Sequence, residues 1–147
     1  MKMNFLRGNG MFVYRTRVRL KDTDATGVLY FSEQLRLGLE AFEAFLEERG
    51  FSLRKLLESP YLMPIVHAEA DYHAPLMVGD AVEITVKVAQ VGTSSIRLQY
   101  AFYDPDRKAA VGKAEIVHVL VDNQSRKSVP IPTFLREILG AVAESPV

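Results

Sequence analysis

From about Tyr30 to Arg49, apolar residues recur at steps of three and four. Leu35, Leu39, Phe42, Phe45 and Leu46 form one stripe, and Arg36, Glu40, Glu43 and Glu47 form the opposing one. This period predicts an amphipathic helix of about five turns. Ser32 is a candidate N-cap and Gly50 a natural stop. Gly38 lies inside the helix, where glycine costs about 1 kcal/mol relative to alanine. Close approach to a sheet is the expected compensation.

Elsewhere the period is two. In Phe12–Leu20, Tyr14, Thr16, Val18 and Leu20 face one way and Val13, Arg15, Arg17 and Arg19 the other, which is a half-buried strand. Further strands are expected at Ile65–Tyr72, Ala81–Val91, Ser95–Tyr103 and Ala109–Val121. They are separated by Pro75, the Gly79-Asp80 and Gly92-Thr93 turns and the segment "DPDRK". The last of them carries small residues, Ala110, Gly112 and Ala114, on one side. Ser52–Glu58 reads as a short second helix, and residues 132–147 as a short C-terminal helix and tail. Residues 1–10 read as a loose leader with a flexible turn at Gly8-Asn9-Gly10. The order is strand, long helix, then four strands on short connections, which favour antiparallel pairing. The expectation is one α+β domain over 1–147, a helix packed on an antiparallel sheet.

Composition narrows the function. The chain has 147 residues, 18 Lys+Arg against 18 Asp+Glu, and no cysteine. A neutral balance gives no basic surface for nucleic acid. The absence of cysteine removes disulfides, thiol nucleophiles and Cys-based metal sites, and fits a cytoplasmic protein. No apolar run approaches the roughly 20 residues of a membrane span, and the N-terminus has no secretory pattern. His67, His73 and His118 are scattered, with no pairing that points to a metal.

The chemistry lies ahead of the long helix, in "KDTDATGVLYF". Asp22 and Asp24 stand two residues apart, and Gly27 opens a turn before the helix. A helix N-terminus presents unpaired N–H groups and a partial positive charge, a sink for a developing oxyanion. A carboxylate reaching the same spot acts as nucleophile or general base on a carbonyl compound. Asp before a helix is far more often a cap or turn residue, so this pattern alone is weak.

The segment "DTDATGVLYF" resembles the D-x-D-x-x-G-x-V/L-x-Y/F signature of hotdog-fold acyl-CoA thioesterases of the 4-hydroxybenzoyl-CoA thioesterase group. "DYHAPLMVGD" is similar to that family's D-Y/F-x-x-P-x-x-x-x-D segment, and "VGTSSIRLQY" to its turn-and-strand segment. The likeness runs from about Phe12 to Pro132. Within the group, "LMPIVHAEADYHAPLMVGD" and "VLYFSEQLRLGLEAFEAFL" look most like the 1,4-dihydroxy-2-naphthoyl-CoA hydrolases of phylloquinone and menaquinone synthesis.

The resemblance implies a five-stranded antiparallel sheet wrapped around one long central helix, and thioester hydrolysis of an aromatic acyl-CoA without cofactor or metal. Asp24 matches the catalytic carboxylate, acting by attack or by activating water. Partial burial would raise its pKa toward that of a useful base. Phe31 matches the residue whose backbone N–H polarises the carbonyl. Gly27, Val28 and Tyr30 line the approach, and Asp22 holds the turn. His67 lies on the strand that borders the acyl pocket. Where relatives carry a basic cluster for the nucleotide phosphates, this chain has Gly92, Thr93 and Ser94, so Thr93 and Ser94 are expected to contribute hydroxyls. Arg15, Arg17, Arg19, Arg97, Arg107, Lys108, Arg126 and Lys127 are further cationic candidates. Glu40 and Glu43 are expected in a solvated stripe. The resemblance also implies a homodimer through the Ile65–Tyr72 strand, or a homotetramer, with the site shared between subunits.

Three rival readings stand beside this one. A hydrolase of short- or long-chain aliphatic acyl-CoA shares the same machinery. A hotdog dehydratase would need a histidine on the long helix, and Tyr30–Arg49 has none. A non-catalytic acyl-CoA binding domain would have no use for Asp24.

Overall fold

The computed structural model of the chain describes the backbone of Met3–Phe5 and all of residues 11–140. In chain order the elements are β1 (Met3–Phe5), β2 (Met11–Arg17), α1 (Glu33–Glu48), α2 (Leu53–Glu58), β3 (Tyr61–Leu62), β4 (Ile65–Tyr72), β5 (Ala81–Val91), β6 (Ser95–Asp104), β7 (Ala109–Val119), β8 (Val121–Asp122) and α3 (Thr133–Ile138). A single 3-10 turn, Leu20–Asp22, precedes the long helix. The main sheet runs β1-β2-β5-β6-β7-β4, antiparallel throughout, and β3 pairs with β8 in a small second sheet. The five expected strands wrapped on one long helix are all present.

Met3–Phe5, expected in a loose leader, pair with Phe12–Tyr14 as a sixth strand. The flexible turn expected at Gly8-Asn9-Gly10 lies outside the described residues, as does 141–147 of the C-terminal tail.

The sheet curls around α1 because the inner faces of β5 and β6 are apolar at every second residue. Val82, Ile84 and Val86, then Ile96, Leu98, Tyr100 and Phe102, are buried against the helix. Each such side chain contributes about 1.5–3 kcal/mol by leaving water. The sheet grips α1 over more than one stripe. Leu37, Ala41 and Ala44 are buried with Phe42, Phe45 and Leu46, while Leu35 and Leu39 are only half-buried. The expected solvated stripe is likewise displaced. Glu40 and Glu43 are half-buried, and the Tyr14 hydroxyl donates to Glu40 Oε2 at 2.5 Å. Burial, followed by the charges of Glu47 and Glu40, pushes the Glu43 carboxyl above its ordinary pKa.

Gly38 meets the expected neighbour: a Cβ there would lie 3.3 Å from the Tyr100 ring. On β7 the register slips between Phe102 and Tyr103, so that Val111 turns inward and Ala110 outward. The expected small-residue side therefore reads Gly112 and Ala114, continued by Ile116 and His118.

Candidate active site

Residues 22–30 fold back on themselves ahead of α1. Thr23 bridges Leu29, Asp24 N–H donates to the Val28 carbonyl at 2.9 Å, and Tyr30 N–H donates to the Asp22 carbonyl at 2.9 Å. Gly27 closes the turn at φ +82°, a left-handed conformation that favours glycine. The loop is held from below by the 76–80 segment: Leu29 N–H donates to Leu76, and Val78 N–H to Gly27.

Asp22 and Asp24 have opposite surroundings. Asp22 is buried at 1% exposure and accepts from Arg19 N–H and from Lys21 Nζ, both at 2.9 Å. Burial opposes its ionisation, but those two donors outweigh it and hold the carboxyl below its ordinary pKa. It is the turn-holding residue in geometry.

Asp24 is exposed. Its Oδ1 accepts from Thr26 Oγ1 at 2.6 Å, from Thr26 N–H at 2.8 Å and from Val28 N–H at 3.4 Å. These donors, the Thr26 hydroxyl first, hold its pKa below the ordinary carboxylate value. This corrects the expectation that burial raises it: the group is a permanent carboxylate at neutral pH. Among the described residues, Oδ2 makes no hydrogen bond, so one oxygen is fixed and the other is free.

Phe31 stands at the start of α1, 61% exposed, beside Tyr30 with ring centroids 4.8 Å apart. Its carbonyl accepts from the Tyr72 hydroxyl at 2.6 Å. No hydrogen bond among the described residues uses its N–H. Ser32 occupies the N-cap position but makes no capping bond through its side chain, so the first turn of α1 keeps free donors. A cleft of about 360 Å³ opens here, lined by Val28, Phe31, Gln34 and Tyr72 among others. Gln34, 2% exposed, anchors the helix by donating to the Asp71 and Lys113 carbonyls at 3.0 and 3.2 Å.

Asp24, Gly27, Val28, Tyr30 and Phe31 thus share one loop. His67, Thr93 and Ser94 do not join them within one chain. His67 is exposed on β4 and bonds Glu69 at 2.8 Å. With Glu115 these residues bring three ligand-type atoms within 4.8 Å. This cluster is not visible in the sequence, because Glu115 joins it from the neighbouring strand β7. Glu115 is also engaged by Arg97 and Gln99. Thr93 and Ser94 lie in the β5–β6 turn. The Asp24 loop is bonded to residues 76–78, just ahead of β5, whereas Thr93 and Ser94 follow that strand, whose 11 residues span roughly 35 Å when extended.

The cationic candidates are mostly engaged elsewhere. Arg15 pairs with Glu83, Arg17 donates to the Gly79 carbonyl, and Arg107 pairs with Asp80 and Asp104. The cation at the Gly92–Ser94 turn is one that sequence reasoning missed. Arg136, on α3, donates through Nη2 to the Gly92 carbonyl at 2.7 Å, and its Nη1 is buried without a partner. A larger cleft of about 450 Å³, bounded by Glu69, Lys87, Gln99 and Glu115 among others, is lined by none of the expected site residues.

A five-stranded antiparallel sheet wrapped around one long helix is the hotdog fold of a class of thioester hydrolases. The chain belongs to the thioesterase-like superfamily, whose family model matches residues 18–139. It is 32% identical over 135 residues to a 1,4-dihydroxy-2-naphthoyl-CoA hydrolase of Synechococcus elongatus, covering 90% of this chain and 98% of that one. It is 35% identical over 136 residues to a protein of the same name from Gloeothece citriformis, covering 90% and 94%. Among solved structures, a 1,4-dihydroxy-2-naphthoyl-CoA thioesterase from Synechocystis superposes with a TM-score of 0.84 at 27% identity, covering 91% of this chain and 98% of that one. A gentisyl-coenzyme A thioesterase superposes with a TM-score of 0.77 at 28% identity, covering 86% and 98%.

Proposed function

We propose that this enzyme hydrolyses the thioester of an aromatic acyl-CoA, with 1,4-dihydroxy-2-naphthoyl-CoA as its substrate, in menaquinone or phylloquinone synthesis in the cytoplasm. The observation that carries the mechanism is the pairing, on one loop, of a carboxylate with one free oxygen and an unengaged N–H at the start of a helix. The thioester carbonyl oxygen accepts from Phe31 N–H, where the helix end favours the negative charge of the tetrahedral intermediate. Asp24 Oδ2 attacks the carbonyl carbon or takes a proton from the attacking water. Coenzyme A leaves as the thiol and the acyl group as the carboxylic acid, with one water consumed. Thioesters are activated acyl donors, so a carboxylate of depressed pKa suffices.

The active site is shared in a homodimer, two of which form a homotetramer. Support comes from distance and from edges. Thr93 and Ser94, with Arg136 behind them, lie too far from Asp24 in one chain to hold the phosphates of the same coenzyme. β4 is a sheet edge with unpaired backbone groups, which folded proteins cover or pair. Tyr30, Phe31, Tyr72, Met77 and Val78 leave an exposed apolar group near this edge. A partner strand laid along β4 places the second subunit's phosphate turn toward the first subunit's Asp24 loop.

The test is kcat/KM on a panel of naphthoyl, benzoyl, short-chain and long-chain CoA thioesters, with the molecular mass measured by analytical ultracentrifugation at assay concentration. Preference for the dihydroxynaphthoyl ester by an oligomer is expected. Preference for an alkyl ester would overturn the substrate, and a fully active monomer would overturn the shared site.

A further inference from the structure

Beside α1 the fold holds a buried side chain with one polar atom that no described residue satisfies. His118, on β7, is 5% exposed, and its Nδ1 lies 3.0 Å from the Met63 carbonyl oxygen. A carbonyl only accepts, so Nδ1 carries the proton and donates. Burial lowers the imidazole pKa, against the Met63 carbonyl that raises it, so the ring is neutral. Nε2 is then an acceptor, and it is buried without a partner. Buried polar groups are almost always paired, and an exception calls for an explanation.

His118 lines a cleft of about 350 Å³ whose other walls include Leu39, Phe42, Met63 and Ile65, with Arg36 as its earliest residue on α1. The Phe42 ring stands over the imidazole with centroids 5.5 Å apart. Along the helix, Arg36 is about 7 Å beyond Phe31, and the cleft continues to Glu43, about 10 Å more. An acyl group whose carbonyl meets Phe31 N–H would have to extend along α1 to enter this apolar space.

We propose that the cleft receives the acyl group and that His118 Nε2 accepts a hydrogen bond from a hydroxyl on it, so that the enzyme selects hydroxylated aromatic thioesters over unsubstituted aryl and alkyl ones. The inference rests on the thioesterase reading and adds the residue that sets its specificity. An apolar wall distinguishes acyl groups only weakly. A buried acceptor left unpaired by the wrong substrate discriminates much more strongly.

The test compares kcat/KM for 1,4-dihydroxy-2-naphthoyl-CoA and 2-naphthoyl-CoA in the wild type, His118→Asn and His118→Gln. The Asn amide keeps a donor near Nδ1 for Met63 and removes the acceptor at Nε2, while Gln returns an oxygen to that position. The wild type is expected to prefer the hydroxylated ester by at least about tenfold. His118→Asn should lose about tenfold of that preference, read as the ratio of the two kcat/KM values, and His118→Gln should regain part of it. In wild-type protein labelled with ¹⁵N-histidine, 1,4-dihydroxy-2-naphthoate should shift the His118 Nε2 resonance and 2-naphthoate should not. That readout needs no variant to fold. Equal loss on both esters, or an Nε2 resonance unmoved by the dihydroxy acid, overturns the inference. A wild type that hydrolyses both esters equally defeats the inference alone. One that hydrolyses neither defeats the thioesterase reading with it.

Discussion

The hydroxyl of Tyr72, the last residue of β4, donates to the backbone carbonyl of Phe31 across 2.6 Å. One residue earlier, the Asp71 carbonyl accepts from Gln34 in the first turn of α1. A single strand end therefore fixes the residue ahead of the helix and the helix itself, and no hydrogen bond among the described residues engages the Phe31 N–H.

Tyr72→Phe removes this tie and leaves the ring. A hydrogen bond of this kind is worth about 0.5–1.5 kcal/mol, so kcat should fall about fivefold with KM nearly unchanged, the signature of a positioning residue whose effect is felt in the transition state. Steady-state kinetics on one aromatic acyl-CoA checks this. A rise in KM with full kcat would show that Tyr72 binds substrate and does not position the donor.

If Asp24 carries the reaction as proposed, Thr26 should set its acid limit. Its hydroxyl and N–H, with Val28 N–H, hold Asp24 below the ordinary carboxylate pKa, so activity is flat above that value and declines as pH falls through it. Thr26→Val keeps the N–H bonds and loses the hydroxyl. The acid limb of the kcat/KM profile should then move to higher pH. A limb that stays in place, or moves lower, separates the observed ionisation from Asp24.

Asp22 acts on stability. Its folded pKa lies below the ordinary carboxylate value, held there by Arg19 N–H and Lys21 against the opposing effect of burial. The stabilisation is therefore present above the unfolded pKa and is lost as pH falls through the folded one. Asp22→Asn should cost about 1–3 kcal/mol at pH 7, the penalty for disturbing a buried hydrogen-bonded group, and the gap to wild type should narrow under acid conditions. Urea melts at neutral and acid pH measure both. Equal gaps at the two pH values would refute the ionised role.

The sequence carried the long elements plainly because their apolar periods are strong. Ile65–Tyr72 and Ala81–Val91 fall where the alternation places them, and Ser52 caps α2 through Lys55 N–H. What it concealed was set by contacts between distant segments. The two-residue strands β3 and β8 have too few residues to show a period. The bulge at Val111 reverses the inward side of β7 against simple alternation. The buried flank of α1 is wider than one stripe because a curled sheet covers it. At the site, the Asp24 loop was legible because its residues are contiguous. Arg136 was not, because it reaches the Gly92 turn from 44 residues away, and the exposure of Asp24 depends on what packs over the loop.

Arg136 tests the far end of the substrate. Arg136→Gln removes the cation at the Gly92–Ser94 turn, where the proposal puts the coenzyme phosphates, so KM for an aromatic acyl-CoA should rise about tenfold, on the scale of a lost charge-assisted contact. The same acyl group on pantetheine, which lacks the nucleotide, should be hydrolysed as by wild type. Equal losses on the two esters would mean that Arg136 only supports the turn.

The most direct test of the account is Asp24→Asn on 1,4-dihydroxy-2-naphthoyl-CoA. Asn retains the oxygen that accepts from Thr26 and Val28, so the loop and the melting temperature should be preserved, while the carboxylate that attacks or activates water is gone. The account predicts a fall in kcat of at least about 100-fold, the scale of a lost acid–base or nucleophilic group. A folded Asp24→Asn enzyme turning over near the wild-type rate would contradict it.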